Sequence, residues 1–356
     1  RSTRVQETIF PEYNANCKKS LAIFAGLFYN CNTIINQLIF FYLFKGAFVP
    51  RYHEKIPCCH KERSSMTYYQ FIQAVEVKVK ERIQENVTVS IHTAVKNNGT
   101  RRQGLNIVEQ GINISPTIYL EEYYQQFQHG GTVEEIAGDI LRLYAQVRFG
   151  SSFEGDYIKD YERVRGKIIY HLVNRESNRQ MLKNTPHKIY LDLAVIFYVL
   201  LEVTPYGTAS MMIRNEHLAM WGETMEGVYR RACRNTRVLL PDEFQTMRAV
   251  IEELTGMEET GKEDRMYILS NEIRSYGAAA ILYEGRLERI GDYLKENYYV
   301  LPSSVHEVII VPESEAPAQA ELSRLVKEIN ETQVDPEEVL SNHAYYYDRK
   351  QKKLQI

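Results

Sequence analysis

The sequence is short of cysteine in an informative way. Five cysteines occur in 356 residues, and four of them, Cys17, Cys31, Cys58 and Cys59, precede residue 60; only Cys233 follows. One thiol closes no internal disulfide, so the chain after residue 65 suits a reducing cytoplasm and a fold held by its core. Long apolar runs are scarce there too. The longest, Ile189 to Leu201, has thirteen residues, short of the roughly twenty that span a bilayer, which predicts no membrane contact for residues 66–356. A glycine-rich phosphate loop, a G-x-S-x-G elbow, an H-E-x-x-H pair and a C-x-x-C pair are all missing. That removes the common signatures of nucleotide binding, serine hydrolysis, zinc peptidase chemistry and thiol redox. Positive charge is in deficit. Residues 1–65 hold nine of the 43 basic and four of the 46 acidic residues, leaving 34 against 42 for the remainder, a net of −8. Nucleic-acid affinity rests on Lys and Arg meeting phosphates, so an acidic body predicts no nucleic-acid partner.

The first 65 residues differ, with a net charge of +5 and a stretch rich in Phe, Ile and Leu from Leu21 to Phe44. Asn30, Asn32, Thr33, Asn36 and Gln37 interrupt that stretch, where polar groups are costly in lipid. No small-residue cleavage site follows it, so it makes a poor secretory signal. The alternatives are a poorly formed membrane anchor and upstream sequence read as protein. Lys61-Glu62-Arg63 can be encoded by an unbroken purine run, and Ser64-Ser65 separates it from Met66. A bacterial ribosome-binding site translated in frame has this layout. The expectation is therefore a non-domain segment over 1–65 and a body over 66–356, divisible into 66–175 and 176–356. Cys58-Cys59-His60 lacks metal-ligand spacing.

In the body, Phe71, Val75, Val79 and Ile83 recur every four residues and predict a helix. Val87, Val89, Ile91 and Val95 alternate with polar residues including His92, which predicts a half-buried strand. Asn97-Asn98-Gly99 predicts a hairpin turn into a return strand through Leu105 and Ile107. Ser115-Pro116 predicts a helix start with the stripe Leu120, Tyr123, Tyr124, Phe127. Thr132 to Glu135 is a capping box before a second amphipathic helix. Residues 156–166 read as a weaker helix and Ile168 to Val173 as a buried strand. Ile189 to Leu201 reads as one central strand, apolar on both faces, with Ser210 to Ile213 pairing back. Asp242 opens a helix carrying Phe244, Met247, Ile251 and Leu254, ended by Gly256. Met266–Leu269, Tyr298–Leu301 and Val305–Val311 predict strands, and Leu287, Ile290 and Leu294 a helix between them. Leu322, Leu325, Val326 and Ile329 mark the last helix, and Tyr345 to Tyr347 a sheet edge. The fold class is α+β, with mixed or antiparallel sheets and packed amphipathic helices.

Three polar groupings remain as candidate sites. One is His187 with Asp192; its structural alternative is hydrogen bonding at a sheet end. The second is Asn271-Glu272 with Tyr276-Gly277, alternatively a helix cap and packing. The third is Ser303, Ser304, His306 and Glu307, where a nucleophile and a base require spatial contact; the alternative is a polar strand connection. Antiparallel pairing of Met266–Leu269 with Val305–Val311 is expected to bring Asn271 to Ser303–Glu307 at one sheet end. No residue set has metal spacing, and no cofactor is expected.

Several stretches together resemble the bacterial family known as domain of unknown function 5688. They are Asn113 to Leu120, Pro186-His187-Lys188 leading into Leu191 to Ala194, Asn215-Glu216-His217-Leu218 with Trp221-Gly222, Tyr276 to Ala279, and Leu301 to Val308. The resemblance covers the body and omits residues 1–65; a more distant likeness is to domain of unknown function 1444. Neither implies an activity or a catalytic residue. The leading expectation is a non-catalytic binding or interaction protein of the cytoplasm. The alternative is an enzyme of unknown chemistry around Ser303 to Glu307.

Overall fold

The computed structural model describes residues 66–83, 86–112, 115–148, 157–204, 207–255 and 266–356. The segment 1–65 and Gly256 lie outside the described residues. Helix α1 (Tyr68–Arg82) opens with a capping box between Thr67 and Gln70 and buries Phe71, Val75 and Val79. It packs on a three-stranded sheet of β1 (Val87–Val95), β2 (Arg101–Glu109) and β3 (Thr117–Tyr119). Helices α2 (Glu121–Gln128) and α3 (Val133–Val147) complete this layer, α3 starting at the Thr132–Glu135 capping box. Leu105, Ile107, Ile118, Leu120, Ile136 and Ile140 fill the core between them. Each such side chain contributes roughly 1.5–3 kcal/mol by leaving water.

The second sheet is built on β6 (Leu193–Thr204). One edge pairs with β4 (Ile168–Asn174); the other pairs first with β5 (His187–Tyr190) and then with β7 (Gly207–Met212). The third sheet runs β13-β12-β10-β11-β9-β8, from Lys353–Gln355 through Tyr345–Asp348, Tyr298–Leu301, Val308–Pro312 and Tyr267–Asn271 to Asp242–Thr246. Every strand pair among the described residues is antiparallel. Leu193, Val195, Phe197 and Val199 of β6 share one core with Leu269, Tyr298, Val300, Val308 and Ile310 of the third sheet, with helix α4 (Met225–Leu239) and a 3₁₀ turn at Gly277–Leu282 packed in. The third sheet's outer face, Ile268, Ile309 and Val311, is covered by α5 (Met247–Thr255) and by Leu322 and Val326 of the helix Gln319–Thr332. The helix marked by Leu287, Ile290 and Leu294 spans Arg286–Leu294.

Five expected elements differ. Ser115-Pro116 opens strand β3 rather than a helix: Ile118 sits opposite Leu105 in the core, and proline, lacking an N–H, is tolerated just before an edge strand. The apolar run Ile189 to Leu201 is two strands. Leu191, with φ +55°, and Asp192 form a tight turn that sets Tyr190 opposite Leu193. Asp242 opens strand β8, not a helix, and β8 runs into α5 without a loop. Phe244 pairs with Leu269 toward one core while Met247 and Ile251 face another, so their four-residue spacing joined opposite faces. Tyr345–Asp348 is interior, because β13 lies outside it. Helix over 156–166 contracts to Tyr161–Val164 and a 3₁₀ turn.

The first layer meets the rest through polar groups. At the β1–β2 hairpin tip, Asn97 Nδ2 donates to Glu337 O (2.7 Å), and Asn98 Nδ2 to Pro336 O (2.9 Å) and Val339 O (2.7 Å). Asn98 and Asn178 exchange two further bonds. Arg102, almost fully buried, meets Glu122 at 2.6 Å, Asp335 at 2.8 Å and Glu337 at 3.0 Å.

Candidate functional site at the end of the third sheet

The antiparallel pairing of β9 with β11 places Val308 opposite Leu269, so the end of β9 and the chain entering β11 lie at the same sheet end. Ser270 Oγ donates to His306 O at 2.8 Å. The turn beginning at Gly277 rests directly on this corner: a Cβ there would collide with Ser270 Oγ, Asn271 N and His306 O, which explains a glycine at that position. The preceding residue, Tyr276, is held at φ +53°, a conformation that side chains disfavour. Asn271 closes the intervening loop, donating to Ser275 O (2.8 Å) and accepting from Ser275 N (3.1 Å).

His306 and Glu307 lie just before β11 and face different cores: His306 meets Tyr276, which packs on the core shared with the second sheet, and Glu307 borders Val250 and Ile268 of the outer face. On one face, His306 Nδ1 accepts the Tyr276 N–H at 3.3 Å, which leaves the ring hydrogen on Nε2, 3.5 Å from Glu338 Oε1. The Tyr276 ring stacks on His171 at 4.0 Å, and His171 in turn lies 4.4 Å from Tyr198. His171 is buried in β4. Burial, with His306 nearby, lowers its pKa to about 3 and keeps it neutral. Lys96 of the first layer reaches Tyr119 OH at 3.1 Å. Burial opposes its charge, but Tyr119, Tyr276 and Glu337 outweigh that and raise its pKa.

On the other face Glu307 is buried, 4% exposed. Burial pushes its carboxyl up to about 7; Glu338 adds to this, while His306, the Ser304 hydroxyl and Arg274 work against it. Glu307 borders a cavity of about 10 Å³ with Glu243, Gln245, Val250, Ile268, Ser270 and Arg274. Small-molecule pockets run to roughly 300–1,000 Å³; this one matches a single water-sized group, about 10–15 Å³. Among the described residues, no donor reaches Glu307 Oε1 or Gln245 Oε1. The Gln245 amide N–H donates instead to Glu243 Oε1 at 2.7 Å. At the mouth, Arg274 bridges Glu243 (3.6 Å) and Glu253 (2.5 Å).

The structure thus brings Asn271, Ser303, Ser304, His306 and Glu307 to one sheet end, but on different duties. Ser303 O accepts Leu340 N at 2.9 Å. Ser304 Oγ accepts the His306 backbone N–H at 3.0 Å, so these two residues meet through the main chain. His187 and Asp192 lie elsewhere, His187 in β5 and Asp192 in the turn between β5 and β6. His187 Nδ1 contacts Thr185 O at 2.8 Å, and Asp192 accepts from Ser341 Oγ (2.7 Å) and from Tyr345 OH. Neither borders the Glu307 cavity. No group of three or more His, Cys, Asp or Glu among the described residues is placed to hold a metal ion, and none of their helices is long and apolar enough to cross a membrane.

Gln245, Ser270, Arg274 and Glu338 were not legible as site residues. Gln245 falls in the stretch whose spacing imitates a helix, and the others are polar residues without local pattern. His171 carried a faint signal, as the one imidazole in an apolar strand.

A family model described as Family of unknown function (DUF5688) matches residues 68–349. No curated protein and no solved structure matches the chain. The chain belongs to the DUF5688 family.

Proposed function

We propose that this DUF5688 member is a binding protein, soluble and cytoplasmic, whose ligand is held beside Glu307 on the outer face of the third sheet. The observation that carries this reading is a pair of buried acceptors. Glu307 Oε1 and Gln245 Oε1 border one cavity and meet no donor among the described residues. Buried polar groups are nearly always satisfied, and leaving one unmet costs roughly 1–3 kcal/mol. Two bordering one cavity mark a place for donors from outside the chain. The acidic body supports a partner other than nucleic acid, and the lone Cys233 supports a reducing compartment. A bacterial source and the more distant likeness to domain of unknown function 1444 belong to the same proposal and rest on the sequence stretches alone.

The catalytic alternative would put chemistry on Ser303, Ser304, His306 and Glu307. It needs a hydroxyl activated by an imidazole, whereas Ser304 meets the His306 main chain and Asn271 is engaged by Ser275. A small-molecule library screened by ligand-observed NMR against the full chain and its Glu307→Gln variant tests the reading. Hits that vanish in the variant support it; hits indifferent to the substitution, or none at all, sink it. A turnover that disappears in His306→Ala would favour the enzyme instead.

A further inference from the structure

The walls beside Glu307 are chemically one-sided. Glu307 Oε1 and Gln245 Oε1 are acceptors without donors, and the Ser270 hydroxyl, having given its hydrogen to His306 O, presents only lone pairs. Glu243 adds a carboxylate at the mouth, and Val250 and Ile268 form apolar sides. The donor bordering this space is Arg274, whose guanidinium is engaged by Glu243 and Glu253. With about 10 Å³ available, the occupant is one small donor group. Water supplies two hydrogens, enough for the two unmet oxygens, but leaves the buried carboxylate without a counter-charge. A calcium ion wants about six to eight oxygens, far more than this corner offers. An –NH₃⁺ group carries three N–H donors and one positive charge, matching three acceptors of which one is a carboxylate; the apolar sides suit the methylenes behind it.

We infer that the seat formed by Gln245, Ser270 and Glu307 takes the terminal ammonium group of a primary amine, with Glu307 as its counter-charge. This rests on the binding reading above and names its ligand class. Charge-assisted hydrogen bonds of this kind are about twice as strong as neutral ones, so Glu307 dominates the recognition.

The test is a thermal melt of the full chain at pH 8 in an amine-free buffer, with chlorides of ammonium, methylammonium, potassium and tetramethylammonium at equal ionic strength. Ammonium and methylammonium are expected to raise the midpoint in a saturable way, and Glu307→Gln to require at least tenfold more salt for the same rise. Gln245→Met, which keeps the side-chain length and removes the amide oxygen, should weaken the response as well. It carries the test if the first variant folds poorly. A potassium response equal to that of ammonium overturns the amine assignment, because no N–H donor is then needed. Equal response to tetramethylammonium, or no response to any salt, also overturns it. If the amine salts do nothing while Glu307-dependent library hits persist, the ligand class is wrong and the binding reading stands; loss of both removes both.

Discussion

The two contacts that hold this molecule together are built of opposite materials. The second and third sheets are joined through one apolar core, with Phe197, Leu193 and Tyr170 on one side and Tyr298, Val308 and Ile310 on the other. The first layer has its own core and meets the remainder through the amides of Asn97 and Asn98 and through Arg102 among three carboxylates. An apolar junction cannot open without exposing its surface to water, so its two sheets stand or fall together. A polar seam can open and exchange its bonds for bonds to water at small net cost. We propose that this seam, rather than a cut at residue 175, divides the body, since β4 lies before 175 and pairs with β6 beyond it.

The largest expected effect tests the apolar side. Phe197→Ala should cost about 3–5 kcal/mol, the usual range for emptying a buried aromatic site, and should lower protection of the second and third sheets alike in hydrogen exchange. Protection lost from the second sheet alone would break the idea of a shared junction. Next is the pH response of the third sheet's outer face. The folded pKa of Glu307 is raised from 4.5 to about 7. Its contribution to stability is therefore complete below pH 4.5 and lost as pH rises through 7, on the order of 3 kcal/mol at about 1.4 kcal/mol per pKa unit. Glu307→Gln should flatten denaturant midpoints between pH 5 and 8; a variant with the same slope as the parent would show that another group carries the titration. His171 acts in the reverse direction. Burial lowers its folded pKa to about 3, so its contribution to stability is present above pH 6.5 and lost as pH falls toward 3.

The polar seam is tested by Arg102→Ala, which leaves Glu122, Asp335 and Glu337 facing one another. Because those carboxylates are partly exposed, the expected cost is about 2–3 kcal/mol, below the range for a fully buried pair. It should fall on the seam: faster exchange at the β1–β2 tip and at residues 335–339, with the sheet cores unchanged. A uniform loss across all three sheets would erase the distinction between the two contacts. The smallest effect, about 1–2 kcal/mol, is expected for Asn98→Gly, which keeps the left-handed backbone at φ +57° and removes only the amide bonds.

How much of this was written in the sequence depends on how far apart the interacting parts lie. Elements stabilised by their own spacing were legible: the Phe71–Val75–Val79 stripe, the capping box at Thr132, and the two buried faces of β6. Errors arose where a neighbour in space overrode a local pattern. Thr117–Tyr119 is a strand because β2 offers it a partner, and Phe244 belongs to a strand because β9 does. The grouping of Asn271 with Ser303–Glu307 followed from antiparallel pairing alone. Gln245 could not join it, since its place depends on β8 being a strand. Nothing local distinguishes a glutamate left without a donor from one facing water.

The short segment from Asp335 to Ser341 has a kinetic meaning as well. It is reached by Asn97 across 240 positions, by Asn98 across 241, by Asn174 across 166 and by Asp192 across 149. Contacts that close such long loops carry the heaviest entropic delay, so this clasp should form after the sheets it fastens. Refolding followed by pulsed hydrogen labelling would then show Leu340 and Ser341, whose N–H groups bond to Ser303 O and Pro302 O, among the last amides to gain protection.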